Sequence, residues 1–472
     1  MTEHEYDLVA IGGGTAGLVS AAGARYIGAT SAIVEREALG GDCLWTGCVP
    51  SKALVASARL AHAMRHAEEL GLTGAAPRHA FGEVMARMRA ARDTVAHHDD
   101  PERFRGMGVG VHFGAARFLE PGVVEVEGVG RIRSKRFVVA TGALPSIPPI
   151  PGLEDVSPLT HHTAFDIDEL PRRMVILGGG PIGLEFAQAY ARLGARVTVV
   201  ELLDHVLAGE DPDVSAALRE LLEAEDIEIV TGERAERVEK GERGGSVVVT
   251  ASGRRFETDA LFVATGRRPA TEGLELARAG IETDDRDAVV VDDRLRTTGD
   301  RVWAAGDVTG GAQFTHLADA MAKTVLRDAL LPFGTRLDRS AVPRVTYTDP
   351  EVAHVGMGER EAEDGGASTH RYAFADLDRA IVEGDARGFV KIHADRKGRV
   401  MGATVLGAGA GELIVPLVMA MKHGLSLGQI SDTIFPYPTR MEGVKRAADA
   451  FRRTRIESLG GKALRKVVSW LA

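Results

Sequence analysis

One spacing recurs in this chain and constrains its fold more than any other feature. Gly12, Gly14 and Gly17 follow the apolar run YDLVAI, and Gly178, Gly180 and Gly183 follow MVIL. Each triplet leads into a small-residue stretch and then a second apolar run. Those runs end at Glu35 and Glu201, each 18 positions past its last glycine. Strand, tight turn, helix, strand is the context that the dinucleotide fingerprint requires. The first glycine permits the turn, the second lets a pyrophosphate approach a helix N-terminus, and the third lets the helix lie close to the strand. The carboxylate accepts hydrogen bonds from ribose hydroxyls. A plain tight turn, or a duplicated copy without a ligand, is the alternative to two dinucleotide sites. At the second site Glu201 would pair with a free 2'-hydroxyl and repel a 2'-phosphate, and no Arg follows in LLDHVL, which favours NADH over NADPH.

The chain has 472 residues, enough for two to four domains at about 100–200 residues each. With 44% hydrophobic and 26% charged residues it has the composition of a globular protein. A formal net charge of -10 argues against a general nucleic-acid binder. The start, MTEHEYDLVAIGGG, has no basic region ahead of an apolar segment and reads as the direct entry to a strand, so a cytoplasmic protein is expected.

Both cysteines, Cys43 and Cys48, lie in GGDCLWTGCVPSKAL. A structural disulfide is disfavoured in a cytoplasmic protein, and zinc needs more ligands than the segment offers; no metal centre is expected. Two inert thiols remain the alternative to a redox pair. Pro50 suits a helix's first turn, and SKALVASARLAHAMRHAEEL is helical in pattern. Cys48 would then sit at a helix N-terminus, where the dipole favours thiolate. Lys52 lies one turn on, and Trp45 sits inside the loop, placed to wall off the site or to read a substrate.

These segments resemble the flavin-dependent pyridine nucleotide–disulfide oxidoreductases (class I flavoprotein disulfide reductases), a family that includes dihydrolipoamide dehydrogenase, glutathione reductase and mercuric reductase. The resemblance runs from Tyr6 to about Arg455 and is carried by GGGTAG, GGDCLWTGCVPSK, VVATGALP, GGGPIGLE, VATGRRP and VWAAGDV. It implies an α/β fold with two Rossmann-like domains, for FAD and for NAD, and a C-terminal α+β dimerisation domain. It implies FAD contacts at Gly12, Gly14, Gly17, Glu35, Gly41, Lys52, Gly114, Ala115, Thr141, Gly142, Asp307 and Thr315. The nicotinamide nucleotide would meet Gly178, Gly180, Gly183, Glu185, Glu201 and Gly266, with Glu185 paired to Lys52. The resemblance makes Cys48 the flavin-proximal thiolate and Cys43 the interchange thiol. Hydride would pass from NADH (NADPH being the other possible donor) to the flavin, and electrons then to the Cys43–Cys48 disulfide and a small-molecule acceptor.

The C-terminal third is similar to the mercuric reductases. Most disulfide reductases carry a His-Pro-x-x-x-Glu segment whose His serves the partner subunit's thiols. Here FPYPTRMEGVKRAADAF places Tyr437 at the His position and keeps Pro438 and Glu442. Tyrosine, at pKa about 10, is a poor base for a thiol near neutral pH. That disfavours dihydrolipoamide or glutathione chemistry, with a packing residue at a dimer interface as the other reading of Tyr437. The mercuric reductases also end in two adjacent cysteines, and this sequence ends KVVSWLA. The expectation is an NADH oxidoreductase acting on a small disulfide, a metal ion or a quinone. Dihydrolipoamide dehydrogenase and a low-turnover redox-sensing or partner-binding flavoprotein are the alternatives.

The expected segments are 1–150 and 271–345 for the FAD domain, 151–270 for the NAD domain and 346–472 for dimerisation as a homodimer. His97, His98 and Asp99 read as a solvated loop or structural pair, or else as a replacement proton donor. In the basic tail Leu464, Val467, Val468 and Leu471 recur at helical spacing. That pattern favours a helix packed on the protein or across a dimer over one on a membrane surface.

Overall fold

The computed structural model describes residues 3–75, 77, 80–241, 245–457 and 459–471, with side chains described except at 3, 457 and 459–464. The chain forms two compact units, the first Met1–Ala56, His79–Leu170 and Ala260–Asp338, the second Ser57–Arg78, Pro171–Asp259 and Arg339–Ala472.

The first unit is built on a five-stranded parallel sheet. Its order is Val302–Ala304, Phe137–Val139, Leu8–Ile11, Ser31–Glu35 and Gly110–Phe113. The strands are short unbroken apolar runs because such a sheet is covered on both faces; all four residues of Leu8–Ile11 are buried. Each Val or Ile so buried contributes about 1.5–3 kcal/mol. The one hydroxyl at the start of Ser31–Glu35 is satisfied, since Ser31 Oγ donates to the Ala21 carbonyl at 2.7 Å. Helix Thr15–Tyr26 packs on helix Thr315–Leu330. Their approach is tight at Gly23, where a Cβ would press on the end of the Leu326 side chain. A second, four-stranded sheet, Glu3–Tyr6, Gly130–Ser134, Val123–Val126 and Ala116–Glu120, closes the core around Phe118 and Phe137.

The second unit repeats the nucleotide-binding turn. Strands Arg173–Leu177, Arg196–Val200 and Glu228–Val230 pair in parallel, with helix Pro181–Arg192 between the first two. An antiparallel meander follows, formed by Ala235–Lys240, Ser246–Thr250 and Arg255–Thr258. The C-terminal part is an antiparallel sheet in the order Arg344–Thr346, Glu351–Gly356, Val400–Gly407, Phe389–Ala394 and Ser368–Ala373. Helices Val415–His423, Leu427–Asp432 and Glu442–Glu457 complete its core. The middle one starts where it does because Ser426 and Gln429 form a reciprocal capping box. Two buried cations are matched by carboxylates. Arg192 donates to Glu225 and Asp349. Lys391 lies 2.6–3.0 Å from Asp211, Asp213 and Glu359.

The segment His97–Asp99 is a single 3-10 turn between helices Phe81–Ala96 and Pro101–Gly106, with both imidazoles exposed. It serves as a helix connection. In the tail helix Leu459–Leu471, Val467, Val468, Trp470 and Leu471 are exposed, and the side chain of Leu464 lies outside the described residues. No described helix is long and apolar enough to cross a membrane.

Candidate active site

The first fingerprint folds as its spacing requires. Gly12 turns the chain at φ +111°, a conformation costly for any residue with a Cβ. Gly14 is the extended N-cap of helix Thr15–Tyr26. A Cβ at Gly17 would overlap the Gly12 carbonyl oxygen. Glu35 ends the next strand, and its Oε2 accepts from the Gly13 amide at 2.6 Å while Oε1 accepts from Glu37 at 2.9 Å. Gly41 lies against Gly14, and Gly114 donates to the Glu35 carbonyl at 2.8 Å. Ala115 follows, accepting from Glu127. Thr141 donates to the Ala270 carbonyl at 2.7 Å, and the Gly142 carbonyl accepts from Ala270 at 3.0 Å. The helix N-terminus at Gly14 has no side-chain cap, and the oriented carboxylate of Glu35 stands beside it. This donor set fits the pyrophosphate and ribose of FAD.

The same construction is repeated in the second unit. Gly178 has φ +111°, Gly180 is the N-cap of Pro181–Arg192, and a Cβ at Gly183 would overlap the Gly178 carbonyl oxygen. Glu201 accepts from the Gly179 amide and, at 2.8 Å, from Leu203. Glu185 is buried and accepts from the Tyr347 amide at 2.9 Å. Gly266 belongs to the first unit, at φ +129°, as does Lys52.

Cys43 and Cys48 are both in the reduced thiol form, the first half-buried and the second exposed. Cys43 lies in the short helix Gly41–Trp45, and the long helix Cys48–Arg65 begins at Cys48 itself. Cys48 Sγ lies 3.5 Å from Thr315 Oγ1, at the start of helix Thr315–Leu330. The Cys43 pKa is driven far up, first by hydrogen bonding to Cys48 and then by burial. Cys43 is therefore a thiol that resists ionisation. Trp45 is fixed by a hydrogen bond from Nε1 to the Leu39 carbonyl at 2.8 Å, with Arg92 over its ring at 5.3 Å.

Motif reading missed the residues around Asp42. Arg267 Nη2 donates to Asp42 Oδ2, and its Nη1 donates to Asp307 Oδ2 at 2.5 Å. His162 Nε2 lies 3.3 Å from Asp42 Oδ1, and His161 Nε2 lies 4.0 Å from Oδ2. A tight turn presents both imidazoles: Thr163 Oγ1 accepts from the Thr160 amide at 3.0 Å, and Thr160 Oγ1 from the His162 amide at 3.2 Å. Burial opposes the charge of Asp42, but His162 and Arg267 outweigh it and keep its pKa low. Asp307 is raised, chiefly by burial. His161 is pushed down to about 4, by burial and then by Arg267. The doublet HH at 161–162 was the one available sequence signal.

Tyr437 lies in the second unit and is largely exposed. Its hydroxyl donates to Asp378 Oδ2 at 3.2 Å, and that carboxylate raises the phenol's pKa. Glu442 is buried at the start of helix Glu442–Glu457 and adds to the rise only through its charge. Asp378 had no motif to announce it.

Two dinucleotide turns in one chain, with a dithiol that begins two residues past the glycine lying on the first turn, define a flavoprotein dithiol oxidoreductase. The family described as pyridine nucleotide-disulphide oxidoreductase matches residues 6–322, and its dimerisation domain matches residues 342–448. The chain belongs to this family of FAD-dependent, pyridine nucleotide-using enzymes. It is 36% identical over 462 residues to a mercuric reductase of Streptomyces lividans, covering 94% of this chain and 96% of that one. It is 35% identical to a dihydrolipoyl dehydrogenase of Haloferax volcanii, covering 94% and 95%. Among solved structures, the Cu(II) complex of the HOCl-induced flavoprotein disulfide reductase RclA from Escherichia coli superposes with a TM-score of 0.84. It is 32% identical, with 93% of this chain and 98% of that one covered.

Proposed function

We propose that this enzyme transfers electrons from NADH, through FAD and the Cys43–Cys48 pair, to a thiol-reactive metal ion such as Hg(II) or Cu(II). The carrying observation is the pairing of Tyr437 with Asp378. A phenol whose pKa is raised stays protonated near neutral pH, so it offers a hydrogen bond and no base. A dithiol substrate needs its protons removed; a metal ion does not. Bound FAD supplies the hydride-accepting, electron-passing chemistry. Gly12, Gly14, Gly17, Glu35, Gly41, Gly114, Ala115, Thr141, Gly142, Asp307 and Thr315 would hold it, with Lys52 beside it. Gly178, Gly180, Gly183 and Glu201 would hold the nicotinamide nucleotide. Glu201 selects NADH because a second negative charge at the 2'-position would meet its carboxylate.

Within the chain the division of labour rests on the thiols. Cys43, the thiol that resists ionisation, meets the acceptor; Cys48 starts its helix, where the dipole favours a thiolate. Two electrons from one NADH reduce one Hg(II) to Hg(0) or two Cu(II) to Cu(I). Thiolates suit such soft ions. The relatives named mercuric reductase and the Cu(II) complex of the similar reductase support a metal acceptor. The exposed apolar side chains Ile381, Val382, Val415, Met419 and Ile434 support a homodimer through the 346–472 segment, with Tyr437 serving the partner's Cys43. Domain boundaries near 150, 270 and 345 complete the reading.

Anaerobic reduction of the purified protein with one equivalent of NADH tests the proposal. A long-wavelength charge-transfer band, lost in Cys48→Ser, is expected, followed by reoxidation with Hg(II) or Cu(II). Efficient turnover with dihydrolipoamide and NAD, and none with either metal, overturns the choice of acceptor.

A further inference from the structure

Two groups of side chains among the described residues have the composition and spacing of cation ligands: Asp211 with Asp213 and Glu359, and Asp42 with His161 and His162. The first already holds a cation. The Lys391 ammonium lies 2.6–3.0 Å from all three carboxylates, where a metal ion would sit. The second is different in kind. Its candidate ligand atoms lie within 4.8 Å of one another. His161 is 93% buried, and its Nε2, aimed at Asp42 from 4.0 Å, has no hydrogen-bond partner. His162 Nε2 is buried as well and makes only the 3.3 Å approach to the same carboxylate. Two orphaned imidazole nitrogens turned toward one carboxylate are costly unless something joins them. A bridging water and a cation can each join both nitrogens, but two imidazoles facing one carboxylate are also the donor set of a metal ion.

We infer that Asp42, His161 and His162 form a binding site for a borderline divalent transition-metal ion, of the class of Zn(II) and Cu(II). Two imidazole nitrogens and one carboxylate oxygen are the donor set these ions prefer. Asp42 turns Oδ1 to His162 and Oδ2 to His161, and the Arg267 guanidinium, bonded to Oδ2, orients the carboxylate. The Thr160–Thr163 turn sets both rings. The site lies one residue from Cys43 and uses neither thiol.

Equilibrium dialysis of the FAD-loaded Cys43→Ser/Cys48→Ser protein against Zn(II), with metal and flavin contents measured together, tests the inference. Without thiols to compete, one Zn(II) per chain is expected. His161→Ala, and independently His162→Gln at the more exposed position, should weaken retention at least about tenfold while flavin content is unchanged. The inference is overturned if no stoichiometric Zn(II) is retained, or if retention ignores both substitutions. It is equally overturned if the substitutions release flavin and the parent binds no metal, for then the imidazoles serve the cofactor.

Discussion

The two glycine turns are near copies in backbone and differ in what faces them. Gly12 and Gly178 share φ +111°, and the N-caps Gly14 and Gly180 lie at φ -80° and -79°. Glu35 and Glu201 both reach back to the glycine amide of their own turn. Yet a Cβ on Gly14 would meet Gly41, at the start of the redox loop, within 3.8 Å, whereas one on Gly180 would meet nothing within 4 Å. One sequence device thus yields one local geometry, and the neighbouring loop decides its use. A turn with the redox loop laid against it suits a resident cofactor; an open one suits a nucleotide that must leave after each turnover.

The largest effects come from the third glycine of each turn. Gly17→Ala and Gly183→Ala each force a methyl into a carbonyl oxygen, a strain of about 3 kcal/mol or more where the backbone cannot yield. The consequences should differ. Gly17→Ala is expected to purify without flavin. Gly183→Ala should keep its flavin and lose most NADH-driven flavin reduction. Visible absorbance and stopped-flow reduction read the two outcomes, and equal flavin loss in both variants breaks the contrast.

Next in size is the dithiol that separates the two turns functionally. Cys43→Ser should lower NADH-driven metal reduction at least about a hundredfold, while a nicotinamide still reduces the flavin at its normal rate. Steady acceptor turnover in that variant would remove the dithiol from the electron path and leave a simple diaphorase.

Reversing charge at the strand ends separates the turns by specificity. Glu201→Arg is expected to move preference toward NADPH by about tenfold, or ~1.4 kcal/mol, read as the ratio of kcat/KM values for the two nucleotides. Glu35→Arg should leave that ratio alone and weaken flavin retention instead. A wild-type enzyme that already prefers NADPH contradicts the assignment of Glu201.

These turns were legible in sequence because all their parts lie within about 25 residues and each part is a local requirement: a positive φ, a bare N-cap, a close helix, a strand-end carboxylate. The helix starting at Cys48 was legible for the same reason, through Pro50 and the periodicity after it. The cluster at Asp42 was not. Arg267 is 225 positions from Asp42 and stood out only as part of VATGRRP, with nothing to show which acids it would join. His161 and His162 were two adjacent polar letters until the fold set them against a carboxylate. The His97–His98 doublet looked alike and proved to be an exposed turn. Asp378, 59 positions before Tyr437, was likewise visible only in three dimensions.

The smallest predicted effect bears on the acceptor end of the comparison. If Tyr437 acts as a neutral hydrogen-bond donor, Tyr437→Phe should slow metal reduction by several-fold without touching flavin reduction by NADH. The sign of the pH dependence follows from Asp378. Its carboxylate accepts the phenolic hydrogen and opposes ionisation, so the protonated form persists above the ordinary value of about 10. The acceptor half-reaction should therefore be flat through neutrality and fall only above about pH 10, as the phenol ionises. Asp378→Asn keeps a hydrogen-bond acceptor but removes the charge, and the falling limb should move to lower pH. Tyr437→Phe should lack that limb altogether. A rate that rises as the phenol ionises would make Tyr437 a base and restore dithiol substrates as candidates.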